Sequence, residues 1–141
     1  MRVLAILLSL ALGTGVVSGQ EYSLTVNVTH LRSDSGKLYL SLYRSAEGYP
    51  QRASAAYRLA FGAIENGRCR IVLDKIPAGV YAVACYHDEN NNGKIDTNFF
   101  GIPKEGTGAS RDAKGSMGPP KFNDAKFALA KDTTIEIRVH Y

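Results

Sequence analysis

From residue 22 to the end of the chain, apolar and polar positions alternate with a period of two. In Tyr22–His30, Leu24, Val26 and Val28 share one face and Ser23, Thr25, Asn27 and Thr29 the other, which predicts a half-buried strand. Lys37–Tyr43 repeats the pattern with Leu38, Leu40 and Leu42. Tyr57–Ile64 and Arg68–Leu73 flank Glu65-Asn66-Gly67, and Asn-Gly between apolar runs predicts a hairpin. Val80–His87, Ala125–Leu129 and Thr133–His140 complete the set, the last two joined at Lys131-Asp132. Asp88 to Asn123 reads as one long loop. The pattern therefore predicts seven short strands and no helix. Each strand has one apolar face to bury. The expected fold is all-β, an antiparallel sandwich of about seven strands, immunoglobulin-like or transthyretin-like, with one long Gly/Pro-rich loop. The disulfide-containing immunoglobulin pattern needs a core Trp, and this chain has none.

Ahead of the strands stands a different kind of segment. Arg2 is followed by an apolar core, Val3 to Leu12, and then by small residues ending in Val17-Ser18-Gly19. This is the layout of a signal peptide at 1–19, leaving a single domain at 20–141. The apolar core is about half the roughly 20 residues a membrane-spanning helix needs. No later run reaches that length, so no membrane span is expected after cleavage. The predicted location is exported, periplasmic or extracellular. Composition adds little more. The chain has 141 residues, 45% hydrophobic and 21% charged, an ordinary globular balance. The net charge of +4 falls to +3 with the loss of Arg2, and no basic stripe of the kind nucleic-acid binders carry is visible.

Cys69 and Cys85 both fall in phase with the apolar residues of their strands and are expected to point inward. Two cysteines in an exported chain suggest a disulfide, while two buried thiols serve equally well as small core residues. The sequence leaves both open.

The one stretch with recognisable chemistry is Asp88-Glu89-Asn90-Asn91-Asn92-Gly93-Lys94-Ile95-Asp96. Side-chain oxygens fall at positions 1, 3, 5 and 9, and a Gly at position 6 permits a sharp turn. Calcium takes six to eight oxygen ligands, and this spacing offers it Asp88, Asn90, Asn92, the Lys94 carbonyl and Asp96. The match to the helix–loop–helix calcium motif is partial, because position 12 is Phe99 rather than Glu and the flanks are not helical. Two carboxylates imply binding in the micromolar to millimolar range. The competing reading is an Asn/Asp-rich turn bonded to itself. Zinc is disfavoured because His30, His87 and His140 are isolated.

Beyond the motif, residues 99–121 hold five Gly and three Pro. Loops of this length are often functional. With His87, Asn98, Phe99, Phe100, Lys104 and Glu105 it is expected to form a ligand or interaction rim. Alternatively, Phe99, Phe100, Ile102 and Met117 pin it as a cover over one end of the sandwich. A hydrolase built on His87, Asp88 and Glu105 is the enzymatic alternative, but no Walker loop and no G-x-S-x-G is present. A carbohydrate-binding module is a third reading, prompted by eight Tyr.

The string IPAGVYAVACYHDENNNGKIDTNFFGIPKEG, followed by GPPKFNDAKF, resembles the bacterial domain-of-unknown-function family 2141. The likeness runs through the whole domain and is densest from Pro77 to Phe127. Its motif positions are His87, Asp88, Glu89, Asn90, Asn92, Gly93, Lys94, Asp96 and Asn98, then Gly101 to Pro103, Glu105 and Gly106. The chain departs from the family at Thr107, where an aromatic is common, and at Cys85, where an aliphatic or aromatic residue is. The resemblance implies an exported, transthyretin-like sandwich and no activity. The expectation is thus a non-catalytic exported module with a calcium-binding loop at 88–98 and an unidentified protein or glycan partner.

Overall fold

The structure, a computed structural model, describes residues 19–141; the expected signal peptide lies, apart from Gly19, outside the described residues. Eight strands form: β1 (Glu21–Thr29), β2 (Lys37–Tyr43), β3 (Arg58–Gly62), β4 (Cys69–Pro77), β5 (Gly79–Asp88), β6 (Thr107–Ala109), β7 (Phe127–Leu129) and β8 (Thr133–Arg138). Seven coincide with the predicted runs. The eighth, β6, lies inside the stretch expected to be one loop. A single helical turn, α1 (Phe122–Ala125), precedes β7.

The strands make two sheets, β4-β1-β8 and β3-β2-β5-β6, with β7 also paired to β5. The inward-facing residues are those the alternation selects: Leu24, Val26 and Val28 from β1, Leu38, Leu40 and Leu42 from β2, Ile71 and Leu73 from β4, Tyr81 and Val83 from β5, and Ile137 from β8. The fold is an all-β sandwich.

Connectivity differs from the predicted hairpins. Asn66 and Gly67 have φ of 53° and 70°, the backbone of a type I′ turn, and Glu65 and Arg68 exchange both backbone hydrogen bonds. Yet pairing stops there: β3 continues onto β2, and β4 onto β1. Asp34 holds the turn from outside, accepting from Asn66 N at 2.9 Å and Gly67 N at 2.8 Å. The physical reason is burial. Two apolar faces joined by a hairpin would lie in one sheet, whereas strands that separate put one face in each layer. The connections at Ala78 and at Lys131-Asp132 cross between sheets in the same way. Because β8 arrives from the opposite sheet, its direction is not set by a hairpin, and it runs parallel to β1. This corrects the fully antiparallel expectation.

Cys69 and Cys85 face the shared core from opposite sheets and are unbridged, both buried as free thiols. Burial raises both thiols, Cys85 to about 12. Of the two sequence readings, the structure carries the second.

The outer edge of β5 is shared. β7 pairs with Gly79–Tyr81 and β6 with Ala84–Tyr86, which leaves a gap at Val83. Ser110 fills it. Its buried Oγ accepts from Val83 N at 2.9 Å and donates to Ala125 O at 2.6 Å. Ser110→Ala would leave both backbone groups dry and unpaired, costing about 2–4 kcal/mol. Urea unfolding of the variant should show that loss with an unchanged slope, and a loss below half a kcal/mol would mean the gap admits water.

Candidate functional site

β5 ends by placing adjacent residues on opposite faces. His87 turns into the sandwich and is fully buried. Its Nε2 lies 2.6 Å from the Ser35 carbonyl, which can only accept, so Nε2 carries hydrogen. Its Nδ1 is hydrogen-bonded with the Tyr141 hydroxyl at 2.7 Å and lies 3.7 Å from Glu89 Oε1. Tyr141 also accepts from Arg32 N, and the Arg32 guanidinium lies over the Tyr141 ring at 4.3 Å. Arg32 then forks onto Glu89 through Nε–Oε1 and Nη2–Oε2. The hydrogen bond from Arg32 holds the Glu89 carboxyl below its usual range.

Asp88 lies on the other face and is also fully buried. Gly36 makes room for it: a Cβ there would stand 1.8 Å from the Asp88 carbonyl oxygen. One carboxylate oxygen of Asp88 accepts from Asn92 N at 3.2 Å and the other from Gly93 N at 2.8 Å. These bonds wrap residues 88–93 around the carboxylate. Gly93, with φ of 77°, makes the turn, and Tyr86 donates its hydroxyl to the Gly93 carbonyl at 3.1 Å.

The four predicted side-chain ligands, Asp88, Asn90, Asn92 and Asp96, do fall in one loop. Asn90 Nδ2 donates to Asp96 at 2.6 Å and Asn92 Nδ2 at 2.8 Å, which lowers the Asp96 carboxyl. Asn92 Oδ1 accepts from Lys94 N at 3.1 Å. The donor set is all oxygen, as calcium requires, but both amides turn nitrogen toward Asp96. A cation would need them rotated to present oxygen. Among the described residues no three His, Cys, Asp or Glu side chains form a metal-holding group.

Glu105 is a strap rather than a rim residue. It is 6% exposed, and its two oxygens accept from Glu89 N and Asp96 N, both at 3.0 Å, tying the loop's start to its end. The hydrolase reading would draw on His87, Asp88 and Glu105. Their hydrogen-bonding atoms are engaged within the chain.

After Asp96 the chain forms a closed finger. Thr97 and Pro103 bridge, Asn98 N donates to Ile102 O at 2.8 Å, and Lys104 N to Asp96 O at 2.8 Å. Asn98 Oδ1 accepts from Phe100 N and Ile102 N. The aromatic side chains do not pin this loop: Phe99 is 98% and Phe100 82% exposed, and Ile102 and Met117 are exposed too. The alternative of an apolar cover is thus overturned. Hydrogen bonds hold the loop instead, and β6 anchors its far end.

Two surface features escaped the motif search. Phe61, Tyr39 and Tyr86 are cross-strand neighbours on β3, β2 and β5. Tyr39 stacks on Tyr86 at 5.3 Å and 10° and leans on Phe61 at 6.0 Å. All three sit in the phase opposite the core-facing residues of their strands, so alternation could have exposed the row. Separately, Asp112, Lys114, Arg138 and His140 line an open cavity of about 320 Å³. Burial, then Lys114 and Arg138, lower His140.

Acid should therefore weaken the fold in two steps. His140 binds a proton less readily folded than unfolded, so its contribution is lost as pH falls below 6.5. Asp34, Glu89 and Asp96 are likewise lowered, and theirs is lost below about pH 4. Urea midpoints measured downward from neutrality should drop through both windows. A midpoint that rises between neutrality and pH 5 would refute the His140 step.

No curated protein matches the chain, and no solved structure does. A family model described as "Uncharacterized protein conserved in bacteria (DUF2141)" matches residues 26–137, from within β1 to within β8. The chain belongs to that family of bacterial proteins, the domain of unknown function 2141.

Proposed function

We propose that the chain is an exported, non-catalytic sandwich module whose 88–98 loop takes calcium and thereby stiffens the adjoining finger for interaction. One observation carries the reading. Asp88 and Asp96 are borne on one loop with Asn90 and Asn92 between them, Asp88 is fully buried, and among the described residues neither carboxylate forms a salt bridge with Lys or Arg. Carboxylates withdrawn from water favour a cation nearby. Asp88, Asn90, Asn92, the Lys94 carbonyl and Asp96 would hold it, the two amides turning their oxygens inward. The leader-like segment at 1–19 supports export, and the internal engagement of His87, Asp88 and Glu105 supports a non-catalytic role.

Thermal unfolding of metal-stripped protein tests this. An ion bound only by the folded state adds RT ln(1 + [L]/Kd), about 2.7 kcal/mol at a hundredfold excess, or several degrees. Calcium should raise Tm and magnesium should not. Asp96→Ala should remove the rise, since Asp96 is partly exposed and its loss leaves the core intact. An unshifted wild-type Tm in millimolar calcium would leave a self-bonded turn.

The aromatic row favours a second reading, glycan binding on the outer face of the β3-β2-β5 sheet. Ring stacks of this kind offer a sugar an apolar platform, with the Asn-rich loop beside it for hydroxyls. Gels cast with soluble polysaccharides should retard the protein, and Tyr39→Ala should weaken the affinity about tenfold, the effect of losing roughly 1.4 kcal/mol. Unretarded migration through a broad polysaccharide panel would remove this reading.

A further inference from the structure

The finger exposes what a fold normally hides. Phe99 and Phe100 stand edge to face at 5.6 Å, almost wholly in water, with Ile102 beside them. They are not loose ends. Four hydrogen bonds and the Thr97–Pro103 bridge fix the backbone beneath them, and Gly101, with φ of 76°, closes the tip. Three apolar side chains held outward on a rigid projection need an apolar medium to enter.

Charge identifies the medium. Lys94 and Lys104 are exposed; Lys94 stands two residues before Asp96 and Lys104 N donates to Asp96 O at 2.8 Å, so they flank the base of the finger. Of the neighbouring acids, Asp88 and Glu105 are buried on backbone donors, Glu89 is paired with Arg32, and Asp96, partly exposed, takes the Asn90 and Asn92 amides. A convex apolar tip with a basic collar complements an anionic bilayer. A second copy of the chain offers no matching apolar socket in the cavity at Asp112, Lys114, Arg138 and His140 or in the one bordered by Asn27, Thr29, Glu65, Arg68, Arg70 and Glu136.

We propose that the Thr97–Pro103 finger is a membrane-docking tip. It seats Phe99, Phe100 and Ile102 in the interfacial layer of a bilayer bearing anionic headgroups, with Lys94 and Lys104 against those headgroups. Attachment is weak and reversible, since so small an apolar surface is a single anchoring signal. The proposal does not rest on calcium, because the finger's hydrogen bonds are all within the chain.

The test is co-sedimentation of the exported form, its intact mass showing no leader, with vesicles in EDTA at low salt. The protein should bind mixed phosphatidylcholine–phosphatidylglycerol vesicles and bind pure phosphatidylcholine far less. F99S/F100S should lower partitioning about a hundredfold, tenfold for each ring, with Tm unchanged. K94E/K104E should lower it by about twentyfold or more and abolish its salt dependence. No binding to anionic vesicles at millimolar lipid overturns the proposal, as does undiminished binding by either double variant. Reading in EDTA keeps the result separate from the calcium experiment: a Tm that ignores calcium leaves docking standing, and absent docking leaves a calcium shift standing.

Discussion

A carboxylate taken out of water must be given donors or a counter-charge, and at one end of this sandwich that demand organises the chain. Asp88 and Glu105 each take two backbone N–H groups, those of Asn92 and Gly93 and those of Glu89 and Asp96. The four bonds fix the curl of the loop, its exit and its closure. Two residues after Glu105 the chain enters β6, which pairs with β5, and Thr107 exchanges both backbone bonds with His140 beyond β8. The strap thus leads directly into the contact that joins the two sheets on this side. Tyr141, one residue further on, closes the same end by capping His87.

The same arrangement bears on how the loop would receive a cation. Asp96 already takes two amide donors, and Asn92 Oδ1 is held by Lys94 N. An incoming ion competes with those bonds and must turn both amides. The two bonds to the Asp96 carboxylate are worth about 1.5–3 kcal/mol each and the neutral Asn92–Lys94 bond about 0.5–1.5 kcal/mol. That competition, together with only two ligating carboxylates, favours modest affinity over tight binding. It also explains why the oxygen spacing fits calcium and a self-bonded turn alike: Asn supplies an acceptor and a donor on one side chain, so the same positions serve both.

The sheet faces were legible because alternation is a direct record of burial. Leu24, Val26, Val28, Leu38, Leu40 and Leu42 lie where period two puts them. Partner choice was not legible. Glu65-Asn66-Gly67-Arg68 forms the tight turn its residues demand, yet the strands it joins pair elsewhere, because pairing is decided by which longer ladder each strand can reach. β6 was hidden for a related reason: Thr107-Gly108-Ala109 has no periodicity of its own and becomes a strand only against β5. In the loop, the oxygen positions were readable but Glu105's role was not, since its bonds reach back 9 and 16 residues. For Phe99 and Phe100 the sequence left a rim and a pinned cover equally open, because hydrophobic residues in a long loop ordinarily bury themselves, and here hydrogen bonds do the holding.

The loop, the finger and the aromatic face are mechanically one surface, and Tyr86 is the joint. Its ring ends the Phe61–Tyr39–Tyr86 row, and its hydroxyl donates to Gly93, the turning point of the loop. Burial first, then the charges of Asp88 and Glu105, push that hydroxyl up to about 12. At neutral pH it is therefore protonated and a donor. The buried carboxylates that shape the loop also keep intact the bond that ties it to the sheet.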